Sequence, residues 1–194
     1  MIKRLSLSTA IFAAAAAPAF AHLNPNEHGS FMAGFSHPLF GMDHILVMVA
    51  VGLWASQLGR DGKRSALWIV PTSFVLTMAV GFALALSGVA LPFVEPGILA
   101  SVIALGLLVA MAVRMPTAIC AAIVAVFALL HSHAHGGELG SAGALQFGAG
   151  FVIATATLHA AGIAAGLGIS RFSPYFARIL GAIIALLGVS LVFG

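Results

Sequence analysis

The sequence predicts an all-α, polytopic membrane protein with six transmembrane helices after a cleavable N-terminal signal peptide. Hydrophobic residues make up 61% of the chain and charged residues only 7%, so a soluble domain could not cover its apolar surface. Short polar breaks also divide the 194 residues into apolar runs of about 20 residues, the length that crosses a bilayer. The third observation is that basic residues fall only in alternate breaks, as expected for a chain that repeatedly crosses a membrane.

The N-terminus has the pattern of a bacterial secretory signal. Lys3 and Arg4 precede an apolar core at 5–17, and residues 19–21 form a small-x-small cleavage site. Residues 1–21 are therefore predicted to be a signal peptide, and the mature chain then starts at His22. The alternative is an uncleaved first helix, although about a dozen apolar residues are short for a span.

Residues 22–194 are predicted to form a single transmembrane domain. The breaks leave six helices, of which the third is short for a span. Their predicted bounds are 34–58, 65–87, 96–113, 116–135, 142–168 and 175–193.

Charge predicts the orientation in the bacterial inner membrane. If His22 lies outside, both ends of the mature chain are periplasmic and every basic residue lies inside, the positive-inside pattern. The outer side then receives three glutamates and all histidines except His159. The basic residues are Lys3, Arg4, Arg60, Lys63, Arg64, Arg114, Arg171 and Arg178; the glutamates are Glu27, Glu95 and Glu138.

The composition excludes two other classes. The net charge is only +3 and no basic run exceeds Lys63-Arg64, so nucleic acid is not a predicted partner. The single cysteine, Cys120, lies in an apolar run, and no disulfide framework is available.

The first predicted span begins with ionisable residues in the stretch HPLFGMDH. His37 and His44 are seven residues apart, so a continuous helix would put them on one face about 10 Å apart, with Met48 continuing that face. Asp43 would point elsewhere, but a helix loosened at Gly41 would let all three polar side chains converge. Since ionisable groups are costly in hydrocarbon, these residues are candidates for a functional site.

A second cluster lies in the stretch HSHAHGGE at the end of the fourth predicted helix. His131 and His135 are four residues apart, which places both imidazoles on one face for a single metal ion. His133 would face away from that surface. Gly136 and the glycine after it are expected to end the helix and free Glu138 to turn back.

Histidines with one or two carboxylates suit Ni(II), Co(II), Zn(II) or Cu(II), whereas Mg(II) and Ca(II) require more oxygen ligands. Five further residues are weaker candidate ligands, each with a structural alternative. The alternative for Met48 is packing in the apolar core, and the alternative for His159 is a hydrogen bond between helices. His28 and the neighbouring Glu27 have the alternative of being ordinary surface residues. The five are His22, His28, His133, His159 and Met48.

Both motifs resemble those of the HupE/UreJ family, bacterial membrane proteins associated with hydrogenase and urease operons and regarded as nickel or cobalt permeases. HPLFGMDH matches the family's H-x5-D-H motif. LHSHAHGGE resembles F-H-G-x-A-H-G-x-E, with Leu130 in place of phenylalanine and Ser132 in place of glycine. The resemblance covers nearly the whole chain and implies a signal peptide, six spans and no enzymatic activity. It implies that the metal-handling residues are His37, Asp43, His44, His131, His135 and Glu138.

The expected function is thus inward permeation of Ni(II) or Co(II), as cargo rather than as a prosthetic group. The expected partners are the metal ion, the lipid bilayer and a downstream metallochaperone or hydrogenase/urease maturation system. No phosphate-binding G-x-x-x-x-G-K-S/T motif is present, so the membrane potential and the metal gradient would have to drive transport. The alternatives are a metal-binding sensor, an accessory or structural subunit, and a metal-dependent intramembrane enzyme. Thr155 and His159 are candidates for the next step inward, and Gly162 and Gly166 for close helix packing.

Overall fold

The computed structural model describes residues 30–139 and 143–193. The predicted signal peptide, His22, Glu27 and His28 lie outside the described residues. The described part of the chain forms seven helices. They are α1 (Phe31–Phe40), α2 (Met42–Arg60), α3 (Ala66–Leu86), α4 (Val94–Ala110), α5 (Thr117–Leu139), α6 (Ala144–Ile169) and α7 (Pro174–Phe193).

The helices confirm the prediction of an all-helical, multi-pass membrane protein. Five of them, α2, α3, α5, α6 and α7, are long and apolar enough to cross a membrane. The sixth apolar helix, α4, has 17 residues and corresponds to the predicted span that was short. That α4 also crosses the membrane stays a prediction.

The prediction of one continuous helix over 34–58 was wrong, whereas the loosening at Gly41 that the sequence also allowed is observed. Gly41 has extended backbone angles (φ −74, ψ 115) and separates α1 from α2. Its N–H donates to the His37 carbonyl and its carbonyl accepts from Ile45, both at 3.0 Å. The chain can therefore turn here without leaving backbone groups unpaired. A glycine also has a lower helix propensity than other residues except proline, so a break in the helix costs less free energy at a glycine.

The remaining helix ends follow ordinary sequence signals. Ser30 caps α1, its Oγ accepting from the Ala33 N–H at 3.0 Å. Pro174 occupies the first position of α7, where its missing N–H is not needed. Gly62 and Gly88 follow α2 and α3 with positive φ angles, which favour glycine.

Small residues let the helices approach closely. A Cβ atom on Gly52 of α2 would collide with the backbone of α6, and one on Gly162 of α6 would collide with that of α2. Gly34 and Gly150 do the same for α1 and α6. The expected packing role of Gly162 is therefore confirmed, and α1, α2 and α6 form one tightly packed unit.

Polar groups concentrate at the two ends of the bundle. We call the end with the connections 61–65, 111–116 and 170–173 the basic end. There, side chains donate to carbonyls near the C-terminus of α4: Gln57 Nε2 donates to Val109 O at 3.0 Å, and Arg178 Nε to Ala110 O at 2.8 Å. We call the opposite end, with α1, the first turn of α2, the last turn of α5 and the first turn of α6, the histidine end.

Candidate metal centre

The break at Gly41 determines the distance between His37 and His44. His37 lies in the last turn of α1 and His44 in the first turn of α2. Their ring centroids are 5.0 Å apart, about half the separation expected on a straight helix. α5 packs on α3 and α4, and the side chains of two of its histidines reach this corner.

The first group of potential ligands consists of His37, His44 and His135. One side-chain nitrogen from each lies within 4.8 Å of the others, close enough for one metal ion. His44 Nε2 and His135 Nε2 are 2.9 Å apart, and the rings of His37 and His135 have centroids 4.1 Å apart. The three imidazoles come from three different helices.

The second group consists of Asp43, His44 and His131, whose ligand atoms also lie within 4.8 Å of one another. Asp43 Oδ1 is 3.0 Å from His44 Nδ1. His131 is fully buried, and its Nε2 is 2.8 Å from Ser101 Oγ on α4. Its Nδ1 has no hydrogen-bond partner among the described residues and is available as a ligand.

His44 belongs to both groups. Its Nε2 approaches His135 and its Nδ1 approaches Asp43, so the groups lie against opposite nitrogens of one ring. His131 and His135 were expected to share one ion, whereas the geometry divides them between the two groups. Two adjacent potential ion positions therefore share a single imidazole.

Aromatic rings enclose the first group from the side of α6. The Phe151 centroid lies 5.7 Å from that of His44, 6.0 Å from His37 and 5.4 Å from His135. Phe147 lies 6.2 Å from His37. The apolar rings exclude water from one side of the histidines, and a lower local dielectric strengthens their interaction with a cation.

The other predicted ligands of this region lie around the two groups. His133 faces the α3–α4 connection, where its Nε2 lies 2.6 Å from the Val89 carbonyl. Met48, one turn from His44, is fully buried in the apolar core. Glu138 lies in the last turn of α5, but its side chain is outside the described residues.

Gly136 does not end α5, contrary to expectation, because the helix continues to Leu139. A Cβ atom at Gly136 would meet Ala85 Cβ at 2.7 Å and the Phe82 carbonyl at 2.8 Å. The glycine thus serves the close packing of α5 on α3 rather than helix termination.

His159 and Cys120 lie away from both groups. His159 is 2% exposed and lies in the middle of α6. Cys120 is buried near the basic end, where its thiol faces the Met115 carbonyl at 3.6 Å.

Sequence reasoning missed Ser101 and Phe151, which contact the histidines from other helices. Ser101 is a fully buried hydroxyl in a helix that is apolar after Glu95 in its first turn, and that contrast was a usable signal. Phe151 gave no signal, since phenylalanine is common in apolar spans and its contacts depend on how α6 packs.

The helices and the histidine corner together define a multi-pass membrane protein with a candidate transition-metal site. The chain belongs to the HupE/UreJ family, because the family model described as "HupE / UreJ protein" matches residues 10–191. It is also similar to "Protein HupE" of Rhizobium leguminosarum bv. viciae, with 45% identity over 194 residues, 98% of this chain and 100% of that protein. No solved structure matches the chain. The family resemblance of the two motifs is thereby confirmed.

Proposed function

We propose that this protein is an inner-membrane permease that takes up a divalent first-row transition-metal ion, nickel or alternatively cobalt, for metalloenzyme maturation. The observation that carries the proposal is the pair of ligand groups sharing His44. Membership of the HupE/UreJ family supports the same cargo. The proposed metal-handling residues are His37, Asp43, His44, His131, His135 and Glu138, with His22, His28, His133, His159 and Met48 as weaker candidates.

The donor set suits such a cargo. Imidazole nitrogens with a carboxylate oxygen are borderline ligands that first-row transition metals prefer over Mg(II) or Ca(II). The 2.9 Å between His44 Nε2 and His135 Nε2 also suits one ion. Two nitrogens bound at about 2.1 Å and at right angles lie about 3.0 Å apart.

The shared His44 provides a means of transfer. An ion held by His37, His44 Nε2 and His135 could move to Asp43, His131 and His44 Nδ1, so that His44 serves both positions through different nitrogens of one ring. On α5, His131 lies one turn farther from the histidine end than His135, so the exchange moves the ion inward. Binding by a few exchangeable ligands is weak enough for release, as permeation requires.

The membrane potential can drive this movement. An inside-negative potential of 100 mV contributes about 2.3 kcal/mol per charge, hence about 4.6 kcal/mol for a divalent ion. This free energy favours inward movement of the ion without ATP hydrolysis.

We further propose that the protein has six spans, including α4, with its signal peptide removed and the mature N-terminus and C-terminus in the periplasm. The distribution of Lys and Arg supports this orientation, since within the mature chain they fall at the basic end. The histidine end then faces the periplasm, from which the ion enters. A cytoplasmic metallochaperone or hydrogenase/urease maturation system would receive it.

Nickel binding to the purified, detergent-solubilised protein tests the site. His44→Ala removes a ligand from both groups, so we expect affinity to fall by more than the roughly 10- to 100-fold that loss of a ligand's hydrogen-bond partner costs. Ser87→Ala is the matched control, since Ser87 is exposed at the end of α3 and its hydroxyl donates to the Leu84 carbonyl of its own helix. Equal affinity for the wild-type protein and His44→Ala would overturn the proposed site.

A further inference from the structure

The face of α6 that packs inside the bundle continues past the two ligand groups toward the basic end. Phe147, Phe151, Thr155 and His159 are spaced four residues apart and share one side of the helix. The first two contact the histidines of the first ligand group. His159 lies about 12 Å farther along the helix than Phe151, toward the basic end.

His159 is buried without a polar partner. It is only 2% exposed, and neither ring nitrogen has a hydrogen-bond partner among the described residues. A buried imidazole of this kind loses its hydration without compensation, which is rare enough to require an explanation. Its ring instead meets the edge of Phe74 on α3, with centroids 5.0 Å apart.

Phe74 contacts a histidine on each side of it. Its ring is fully buried and lies 6.3 Å from His131 of the second ligand group and 5.0 Å from His159, between ring centroids. The same phenyl ring thus borders the deepest histidine of the metal centre and the next histidine inward, and an ion moving from one to the other would pass beside it.

Two further atoms that could bind a metal ion lie one helical turn nearer the histidine end than His159 and Phe74. The Thr155 hydroxyl donates to Met78 Sδ at 3.6 Å, and both residues are buried. Met78 follows Phe74 by one turn on α3, and Thr155 precedes His159 by one turn on α6. Imidazole, hydroxyl and thioether atoms therefore occur along the α3–α6 seam. His159 also lines a groove of about 270 Å³ that opens on the outer surface beside Trp68 and Leu76.

We propose that His159 is a second, inner binding position for the transported transition-metal ion, bordered by the Phe74 ring that also borders His131. This inference rests on the proposed function. The single imidazole, helped by the nearby Thr155 and Met78, binds more weakly than the outer groups. Weak binding allows the ion to continue toward the basic end.

Rescue by metal-binding and non-binding side chains tests the role of His159. In proteoliposomes, His159→Ala should lower nickel uptake by about tenfold or more and leave nickel affinity at the outer histidines unchanged. His159→Cys supplies a new ligand and should recover uptake. His159→Gln retains hydrogen bonding without a good ligand and should not.

Thr157→Ala is the matched control, because Thr157 lies on the same helix but is exposed. It should transport like the wild-type protein. Full uptake by His159→Gln together with inactive His159→Cys would identify a structural hydrogen bond and overturn the inference.

Thiol protection gives a second measurement that does not require transport. In a Cys120→Ser background, nickel should slow alkylation of the thiol introduced by His159→Cys by several-fold. The thiol introduced by Thr157→Cys should react at the same rate with or without nickel. Absence of protection at position 159 would overturn the inner site.

The two proposals fail in different ways. If His44→Ala binds nickel as tightly as the wild-type protein, the proposed function fails. If binding depends on His44 but the His159 variants behave like their Thr157 controls, only the inner site fails.

Discussion

Ser101 determines, at the residue scale, how His131 is presented to an ion. Its hydroxyl lies 2.8 Å from His131 Nε2, and the other ring nitrogen, Nδ1, has no hydrogen-bond partner among the described residues. Partners of this kind fix the tautomer and orientation of a ligating imidazole.

Ser101→Ala should therefore weaken nickel binding by about 10- to 100-fold without unfolding the protein. Equilibrium dialysis with radioactive nickel would measure the loss. Ser87→Ala is a suitable control, because Ser87 bonds only its own helix, at the Leu84 carbonyl. Unchanged affinity in Ser101→Ala would show that the hydroxyl does not orient a ligand.

Much of the site could be predicted because its residue types are unusual for a membrane span. His37, Asp43, His44, His131 and His135 are conspicuous among apolar residues, and the structure brings all five to one corner. Their division into two groups could not be predicted. It depends on how the packing of α5 on α3 and α4 places its histidines beside the corner between α1 and α2, which helical spacing alone does not determine.

Gly41 is the critical position at the scale of the elements, since it ends α1 and begins α2 beside the ligands. An added Cβ atom would lie 2.9 Å from His44 Nδ1 and 3.2 Å from Asp43 Oδ1. Its φ of −74 is accessible to alanine, so a substitution would not strain the backbone. The added Cβ atom would instead disturb the ligands through the close contact with His44.

Gly41→Ala should consequently shift His44 and lower nickel affinity by about tenfold, with little change in thermal stability. Gly168→Ala is the matched control, since a Cβ atom there meets nothing within 4 Å. Nickel titration and thermal unfolding in the same detergent would separate the two effects. A loss of stability with normal affinity in the folded fraction would contradict the assignment of Gly41 to the site.

The helices could be predicted where polar breaks bounded long apolar runs, as for α3, α6 and α7. The two errors both involve glycine. Gly41 breaks a helix and Gly136 does not, because the first lies at a corner and the second is packed against Phe82 and Ala85. A glycine permits both outcomes, and only the neighbouring helices decide between them.

The two ends of the whole molecule differ in charge, and this difference predicts its orientation. Reporter fusions test that prediction. A periplasm-specific reporter fused after Arg64 or Arg114 should be inactive, whereas fusions after Val89 or at the C-terminus should be active. A cytoplasm-specific reporter should give the opposite pattern. Equal behaviour of fusions on both sides of α4 would show that this short helix does not cross the membrane.

Nickel uptake into proteoliposomes of the purified mature protein decides whether the protein is a permease. An imposed inside-negative potential should accelerate accumulation of radioactive nickel by the wild-type protein, and His44→Ala should abolish it. Parallel assays with cobalt would establish which ion is preferred. Nickel that binds to the outside of the vesicles but never enters, with or without the potential, would contradict a permease and indicate a sensor or an accessory subunit.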